Sequence, residues 1–211
     1  MTLELWLAYV LAASILLLVP GPTILLVMGY ALSGGRRSAW RTVPGVMAGD
    51  ATSISLSLLG LGALLATSAA LFTVLKWLGA GYLVYLGVRM WRAPLGPGMG
   101  PAPEPGAPPA EGWSVTAHAY VVTALNPKGL VFFVAFLPQF IVPRAPLLPQ
   151  GVVLAVTFVA LAGVNALGYA LLVGSLRRAF RRPSTLRVLN RVSGSVLIGA
   201  GVLTAALRRA A

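Results

Sequence analysis

Long apolar segments separated by short polar junctions run along the whole chain. A helix that spans a bilayer needs about 20 predominantly apolar residues, and six segments reach that length. They predict an all-α integral membrane protein with six transmembrane helices. The predicted helices cover Leu3–Ser33, Thr42–Leu65, Ala70–Trp91, Ser114–Val142, Leu148–Leu176 and Val188–Leu207.

One stretch between these segments has a different composition. Residues 93–113 read APLGPGMGPAPEPGAPPAEGW, and this richness in Pro, Gly and Ala predicts a flexible, partly extended linker. The linker divides the chain into two three-helix repeats, residues 1–92 and residues 114–211. Three helices per half give the second half the opposite polarity in the membrane, which is the layout of inverted-topology repeats. We interpret the linker as a plain connector, with a regulatory segment as the alternative.

Charge is too scarce for a chain of this length to cover a surface that faces water. Of the 211 residues 58% are hydrophobic and 9% are charged, with a mean hydropathy of +0.87, whereas about a quarter of the residues of a soluble domain are charged. The formal net charge of +12 could suggest nucleic-acid binding. The basic residues, however, lie at the ends of apolar segments, where the positive-inside rule places them.

The distribution of arginine predicts the orientation in the membrane. The junctions after the first, third and fifth helices, with their flanks, contain Arg36, Arg37, Arg41, Arg89, Arg92, Arg177, Arg178, Arg181, Arg182, Arg187 and Arg191. The opposite side contains only Arg144, Arg208 and Arg209. The arginine-rich side should be cytoplasmic, so we expect a multi-pass protein with both termini outside the cytoplasm.

The first predicted helix is interrupted by Pro20, Gly21 and Pro22. Two prolines around a glycine should break a helix, because proline removes a backbone donor and clashes with the preceding turn. The break lies about 25 Å from either end of the segment at about 1.5 Å per residue, which is close to the middle of the bilayer. Gly21 can cap the second half-helix, with Pro22 in its first turn.

The fourth predicted helix is interrupted at the matching place by Asn126, Pro127 and Lys128. Asn is favoured at the N-cap and Pro at the first helical position, so another half-helix should begin here. Paired broken helices in two halves indicate a transporter site, because half-helix N-termini with free N–H groups attract anionic groups. Lys128 adds a full positive charge. The alternative is a pair of proline kinks that serve packing alone.

Asp50 is the only acidic residue far inside an apolar segment, about 13 Å from Arg41 along the helix. A carboxylate within a membrane is costly and indicates function. Ser53 and Ser57 follow on the same helix face and form a polar stripe with it. We expect Asp50 to take up a proton, to bind a substrate amino group, or to do both in alternation. The alternative is a structural ion pair with Lys128 or Lys76.

Four further features have two interpretations each. Asn165, in the middle of the fifth helix, either lines the cavity or forms an interhelical hydrogen bond. Lys76 either faces the site or extends to the membrane interface. His118 is expected at the interface rather than in the site. The glycine pairs, Gly45 with Gly49 and Gly79 with Gly87, predict close helix packing, with a homodimer interface as the alternative.

The residue types also exclude several chemistries. The chain has no Cys and one His, which excludes disulfides, thiolate catalysis and Cys-based metal sites and argues against a zinc site. No metal or cofactor is therefore predicted. An enzyme embedded in the membrane would need a nucleophile with a base, or clustered His and acidic residues. Ser53, Ser57 and Lys128 are too few for that, and the prediction is that the protein is not an enzyme.

Four motifs in this order resemble those of the LysE/RhtB family of amino-acid exporters. They are Pro20-Gly21-Pro22, Gly45 to Asp50, Lys76 to Leu83, and Asn126-Pro127-Lys128-Gly129 through Phe140. The resemblance extends over most of the chain and implies efflux of amino acids or their derivatives, such as lysine, homoserine or threonine, from the bacterial cytoplasm. It also implies a location in the inner membrane and coupling to the proton-motive force. The Pro-rich linker is not a motif of that family.

Together these features predict a secondary active exporter that works by proton antiport. The substrate carboxylate would bind at the two half-helix N-termini and Lys128. Its amino group would face Asp50 and the polar stripe, with Asn165 as a further candidate partner. Protonation of Asp50 from outside would release the substrate. The alternatives are an exporter of another small solute or of a metal cation, which the lack of Cys and acidic residues disfavours, and an assembly or sensor subunit.

Overall fold

A computed structural model describes residues 1–67, 69–92, 112–142, 145–176 and 183–206, and within these ranges the regular structure is helical. The α-helices are α1 Leu3–Leu18, α2 Pro22–Gly34, α3 Ala39–Thr67, α4 Ala69–Trp91, α5 Gly112–Ala124, α6 Pro127–Ala135, α7 Leu147–Ser175 and α8 Pro183–Ala206. Short 3₁₀ turns follow α2 at Gly35–Ser38 and α6 at Leu137–Phe140. Residues 93–111 of the predicted linker lie outside the described ranges.

Both predicted helix breaks are present. The first predicted segment is divided into α1 and α2, and the fourth into α5 and α6. The prediction that the fourth helix continues to Val142 is wrong, because α6 ends at Ala135 and the chain tightens into a 3₁₀ turn around Pro138. Proline disfavours a helical conformation at the residue before it and lacks the N–H that an α-helix would use.

Two parts of the described chain are long and apolar enough to cross a membrane. Helix α7 meets this requirement by itself. Helix α1 meets it together with the chain from Pro22 to Gly60, to which it is joined with a bend of 53°. Helices α5 and α6, with 13 and 9 residues, are each too short to span a bilayer alone. Length and composition thus account for one or two spans in the described residues, and the six-helix arrangement stays a prediction.

Large apolar side chains cover the outer faces of the long helices. On α1 the exposed leucines Leu3, Leu7 and Leu11 are spaced by about one helical turn. On α7 the exposed valines Val152 and Val156 have the same spacing. Such rows of exposed apolar side chains are suited to contact with lipid.

Two clusters of buried apolar side chains lie on opposite sides of the helix breaks. The first contains Tyr9 of α1 and an aromatic group from α6 and α7, in which Phe133 and Phe158 meet edge to face at 4.8 Å between ring centroids. The second joins α2, α3, α5 and α7 and includes Leu26 and Val46. The broken helix ends therefore lie in a polar layer between apolar packing on either side.

Glycines bring pairs of helices into close contact. A Cβ atom at Gly49 would lie 2.7 Å from the Cβ of Thr123 on α5, and one at Gly45 would collide with the same helix. Gly87 of α4 faces Gly194 of α8 in the same way, with a Cβ 2.6 Å from its carbonyl oxygen. The prediction of close packing at these glycines is confirmed, and the partners of Gly45, Gly49 and Gly87 are helices of the same chain.

Candidate functional site

Three helix ends converge where the two broken helices meet. Helix α2 starts with Gly21 as its N-cap and Pro22 as its first residue. Helix α6 starts with Asn126 as its N-cap, whose side-chain oxygen accepts a hydrogen bond of 3.1 Å from the backbone N–H of Lys128. These cap assignments agree with the sequence prediction. The third end is the C-terminus of α1.

The side chain of Asn126 also connects the two half-helix N-termini. Its amide nitrogen donates to the hydroxyl of Thr23, at 3.0 Å, and both side chains are buried. Thr23 is the second residue of α2, so one amide caps α6 and holds the first turn of α2. Sequence reasoning missed Thr23. Its only signal was a hydroxyl residue directly after a proline that begins a half-helix.

Lys128 is directed at the C-terminal end of α1. Its ammonium group donates to the carbonyl oxygens of Leu16 at 3.0 Å and Val19 at 2.6 Å, and the side chain is 5% exposed. The last carbonyls of a helix have no partner within the helix and carry partial negative charge. Two of the three ammonium hydrogens therefore bind backbone carbonyls. At most one hydrogen is left for the predicted binding of a substrate anion.

Side chains of other helices donate to four consecutive carbonyls at this end of α1. Asn165 donates to the carbonyl of Leu17 at 2.9 Å, and the Tyr169 hydroxyl donates to that of Leu18 at 2.8 Å. We call the four backbone carbonyls of residues 16–19 the carbonyl collar. Asn165 thus fulfils both interpretations made from the sequence, because it also lines the cavity described next. Tyr169 was missed, since a tyrosine in an apolar helix gives no distinctive signal.

A small cavity lies among these helix ends. Its volume is about 30 Å³, enough for one or two water molecules. Its lining consists of Leu16, Leu17, Gly21, Thr23, Ile24, Val46, Asp50, Asn126, Lys128, Gly129, Phe158, Ala162 and Asn165. The predicted site residues Pro20, Pro22, Pro127 and Ser53 are not part of this lining. The three prolines shape the breaks.

Asp50 is the acidic group of the cavity. Its side chain is 7% exposed, and no described residue donates a hydrogen bond to its carboxylate. Lys128 lines the same cavity, but its ammonium group donates to the backbone of α1 and not to this carboxylate in the described structure. A buried charge with so few partners is unfavourable unless a further group compensates it. The carboxylate is therefore available to a cation or a proton in the cavity.

The predicted polar stripe does not continue from Asp50 into the cavity. Ser53 donates to the carbonyl oxygen of Ala124 at 2.6 Å and so caps the C-terminal end of α5. The polar side chains that line the cavity with Asp50 are instead Thr23 of α2, Asn126 and Lys128 at the start of α6, and Asn165 of α7. The side chain of Lys76 lies outside what the structure describes.

His118 lies apart from the cavity. Its Nδ1 atom is 3.0 Å from the Tyr30 hydroxyl, and the two rings meet edge to face between α5 and α2. His118 is not among the residues that line the cavity. The histidine instead joins the two half-helices on the side of the cavity where α2 ends.

The double role of Asn126 leads to a prediction about stability. Asn126→Ala removes the α6 cap and the hydrogen bond to Thr23, and loss of an N-cap costs about 1 kcal/mol. Asn126→Ser can still cap α6 but cannot donate an amide hydrogen to Thr23. Thermal denaturation of the purified proteins should rank wild type above Ser and Ser above Ala. Equal melting temperatures for all three proteins would contradict the assigned connection.

The chain is similar to the members of one protein family. The model of the family "LysE type translocator" matches residues 14–207. An uncharacterized membrane protein of Vibrio cholerae serotype O1 is 36% identical over 208 residues, covering 97% of this chain and 98% of the relative. The homoserine/homoserine lactone efflux proteins of Salmonella typhimurium and Salmonella typhi are each 34% identical over 210 residues, with both chains fully covered. No solved structure matches.

Proposed function

The chain belongs to the LysE type translocator family, and from this premise we propose that it is a secondary active exporter of amino acids or amino-acid derivatives. It is a membrane protein, in line with the name of its Vibrio relative. One observation carries the proposal: the buried Asp50 carboxylate, without a hydrogen-bond partner among the described residues, lines a cavity between the N-termini of two half-helices.

The architecture that we propose is six transmembrane helices arranged as two inverted repeats. Its support is the matched interruption of the first and fourth segments, each followed by a half-helix with proline in its first position. Both preceding half-helices have C-terminal carbonyls that accept a hydrogen bond from a side chain of another helix, Lys128 for α1 and Ser53 for α5. In the inner membrane the arginine-rich junctions would face the cytoplasm. A homodimer stays a prediction.

The substrate ammonium group would bind at Asp50. Asp50 provides the negative charge. Because the cavity excludes bulk water, the attraction between the Asp50 carboxylate and the substrate ammonium group is strong. A carboxylate or carbonyl of the substrate would accept from the N–H groups of Thr23, Ile24 and Gly129, which lie in the first turns of α2 and α6 and line the cavity. First-turn N–H groups have no partner within their helix.

The names of the Salmonella relatives narrow the substrate class. Homoserine and its lactone share an α-ammonium group, but the lactone has no free carboxylate. If this exporter accepts both kinds of compound, recognition has to depend on the ammonium group and therefore on Asp50. We propose that small α-amino acids and their neutral lactones or esters are the substrate class.

Transport would require a rearrangement of the polar layer. The cavity of about 30 Å³ is too small for an amino acid, so we interpret this conformation as one without substrate. Opening on one side would separate the aromatic group around Phe133 and Phe158, and opening on the other would separate α2 from α5 at Tyr30 and His118. A proton taken up by Asp50 from outside would then displace the ammonium group, which gives proton antiport.

Counterflow in proteoliposomes tests this function. Vesicles loaded with unlabelled homoserine should take up labelled homoserine in a saturable manner, and an imposed pH gradient should drive net accumulation. Homoserine lactone inside the vesicles should also support exchange, whereas 4-hydroxybutyrate, which lacks the ammonium group, should not. Absence of exchange for a full panel of amino acids, with folded protein, would refute the proposed substrate class.

A further inference from the structure

The C-terminal end of α1 has the form of a cation site, and Lys128 fills it. The ammonium nitrogen lies within hydrogen-bond distance of two collar carbonyls, those of Leu16 and Val19. The two other collar carbonyls accept from neutral groups, the Asn165 amide and the Tyr169 hydroxyl. Lys128 is therefore the cation that the described structure supplies to this helix end.

Broken transmembrane helices use such ends to bind coupling ions. Unwound carbonyls and half-helix C-termini coordinate small cations because several partial negative charges point to one place. An ammonium group and a small monovalent cation carry the same charge and are bound by the same kinds of oxygen atom. A cation site with a covalently attached occupant has no room for a free ion.

We propose that the carbonyl collar is a monovalent-cation site whose resident occupant is the Lys128 ammonium group. Two consequences follow. The wild-type protein needs no sodium ion, because its site is filled. Shortening Lys128 opens the site to a small cation from solution.

The packing of the lysine stem indicates how to open the site. A Cβ atom at Gly21 would lie 3.3 Å from both Cδ and Cε of Lys128, so the stem runs directly along the backbone of Gly21. Lys128→Ala removes the stem and the charge and leaves a space that reaches the collar. Lys128→Met removes only the charge, since its side chain still fills most of that space. The two variants thus differ in whether a cation can enter.

Thermal stability in different salts is the test. Wild type, Lys128→Ala and Lys128→Met are purified in detergent and melted in sodium, methylammonium or choline chloride at equal ionic strength. We expect methylammonium, sodium or both to raise the melting temperature of Lys128→Ala by several degrees relative to choline, which is too large to enter. Wild type and Lys128→Met should show no such difference.

Several results would overturn the proposal. One is a folded Lys128→Ala protein with equal stability in all three salts, and another is an equal effect of small cations on Lys128→Met. The proposal also fails if Lys128→Ala folds in none of the salts while Lys128→Met folds, because methylammonium should occupy the vacant site and restore folding. Recovery of folded Lys128→Ala only in small cations would support it.

A second experiment measures transport and rests on the proposed function. Export by the wild-type protein should be unchanged when choline replaces sodium on both sides of the vesicle membrane, and a sodium gradient alone should drive no accumulation. Export driven by sodium would overturn the filled-site proposal. The melting experiment needs no substrate, so absence of all transport would count against the exporter and leave the cation site to be judged by stability.

Discussion

Asp50→Asn should abolish substrate exchange while the protein remains in the membrane. The amide keeps the shape of the side chain but removes the negative charge that we assign to the substrate ammonium group and to the proton. Removing one partner of a buried charge pair costs about 3–5 kcal/mol. At about 1.4 kcal/mol per factor of ten, exchange should fall by about 100-fold or more. Initial rates of counterflow in proteoliposomes, normalised to the amount of reconstituted protein, measure the effect.

Glu4→Gln is the matched control for this experiment. It makes the same change from carboxylate to amide at an exposed position in the first turn of α1, and exchange should remain at the wild-type level. Full export by Asp50→Asn at normal expression would remove Asp50 from the mechanism. Loss of net transport with retained exchange would assign Asp50 to the proton alone and leave the ammonium group to other partners.

Gly45→Ala should reduce stability more than a single methyl group suggests. The added Cβ would collide with the backbone oxygen of Thr116 and lie 2.9 Å from the Cβ of Ala119, so α3 and α5 would have to separate. Overpacking of this kind typically costs about 1–3 kcal/mol. Because α5 leads directly to Asn126, separation should also disturb the start of α6. The melting temperature and the yield of monodisperse protein after extraction are the measurements.

Gly81→Ala is the control for the glycine prediction. Gly81 is exposed in α4, and a Cβ atom there would meet no atom within 4 Å. Alanine is favoured over glycine in a helix by up to about 1 kcal/mol, so this variant should be as stable as wild type or slightly more stable. A similar loss of stability for both variants would show that helix flexibility, and not the contact between α3 and α5, explains the glycine at position 45.

The contrast between Asp50 and Lys128 bears on how such an exporter could work. Both charges are buried in one polar layer, but the lysine has backbone partners from another helix, whereas the carboxylate has no hydrogen-bond donor among the described residues. The less satisfied group is the one that a substrate or proton can stabilise. For this reason we assign the transported charge to Asp50 and a resident charge to Lys128.

The positions of the helix breaks could be predicted from local sequence alone. Pro22 and Pro127 each begin a half-helix, and Gly21 and Asn126 each serve as the N-cap, because the conformational limits of these residues act within one turn. The end of the fourth segment was predicted wrongly for a related reason. Its apolar composition continues to Val142, but the backbone requirement of Pro138 ends the α-helix at Ala135.

The chemistry of the site depended on contacts that the sequence does not contain. Lys128 and the carbonyl of Leu16 are 112 positions apart, and Asn165 and the carbonyl of Leu17 are 148 apart. Backbone carbonyls carry no residue-specific signal, so the collar could not be predicted. Ser53 shares the helix of Asp50 at a favourable spacing, yet its hydroxyl is used by the end of α5.

The sequence by itself determined the helical class, the family, the two breaks and the residue types that carry charge into the apolar layer, because these follow from hydrophobic length, from proline and glycine, and from the cost of burying a charge. Only the tertiary structure decided which charge is satisfied and which is available. That choice depends on three helix ends meeting at one level, which turned Lys128 toward α1 and left Asp50 facing the cavity.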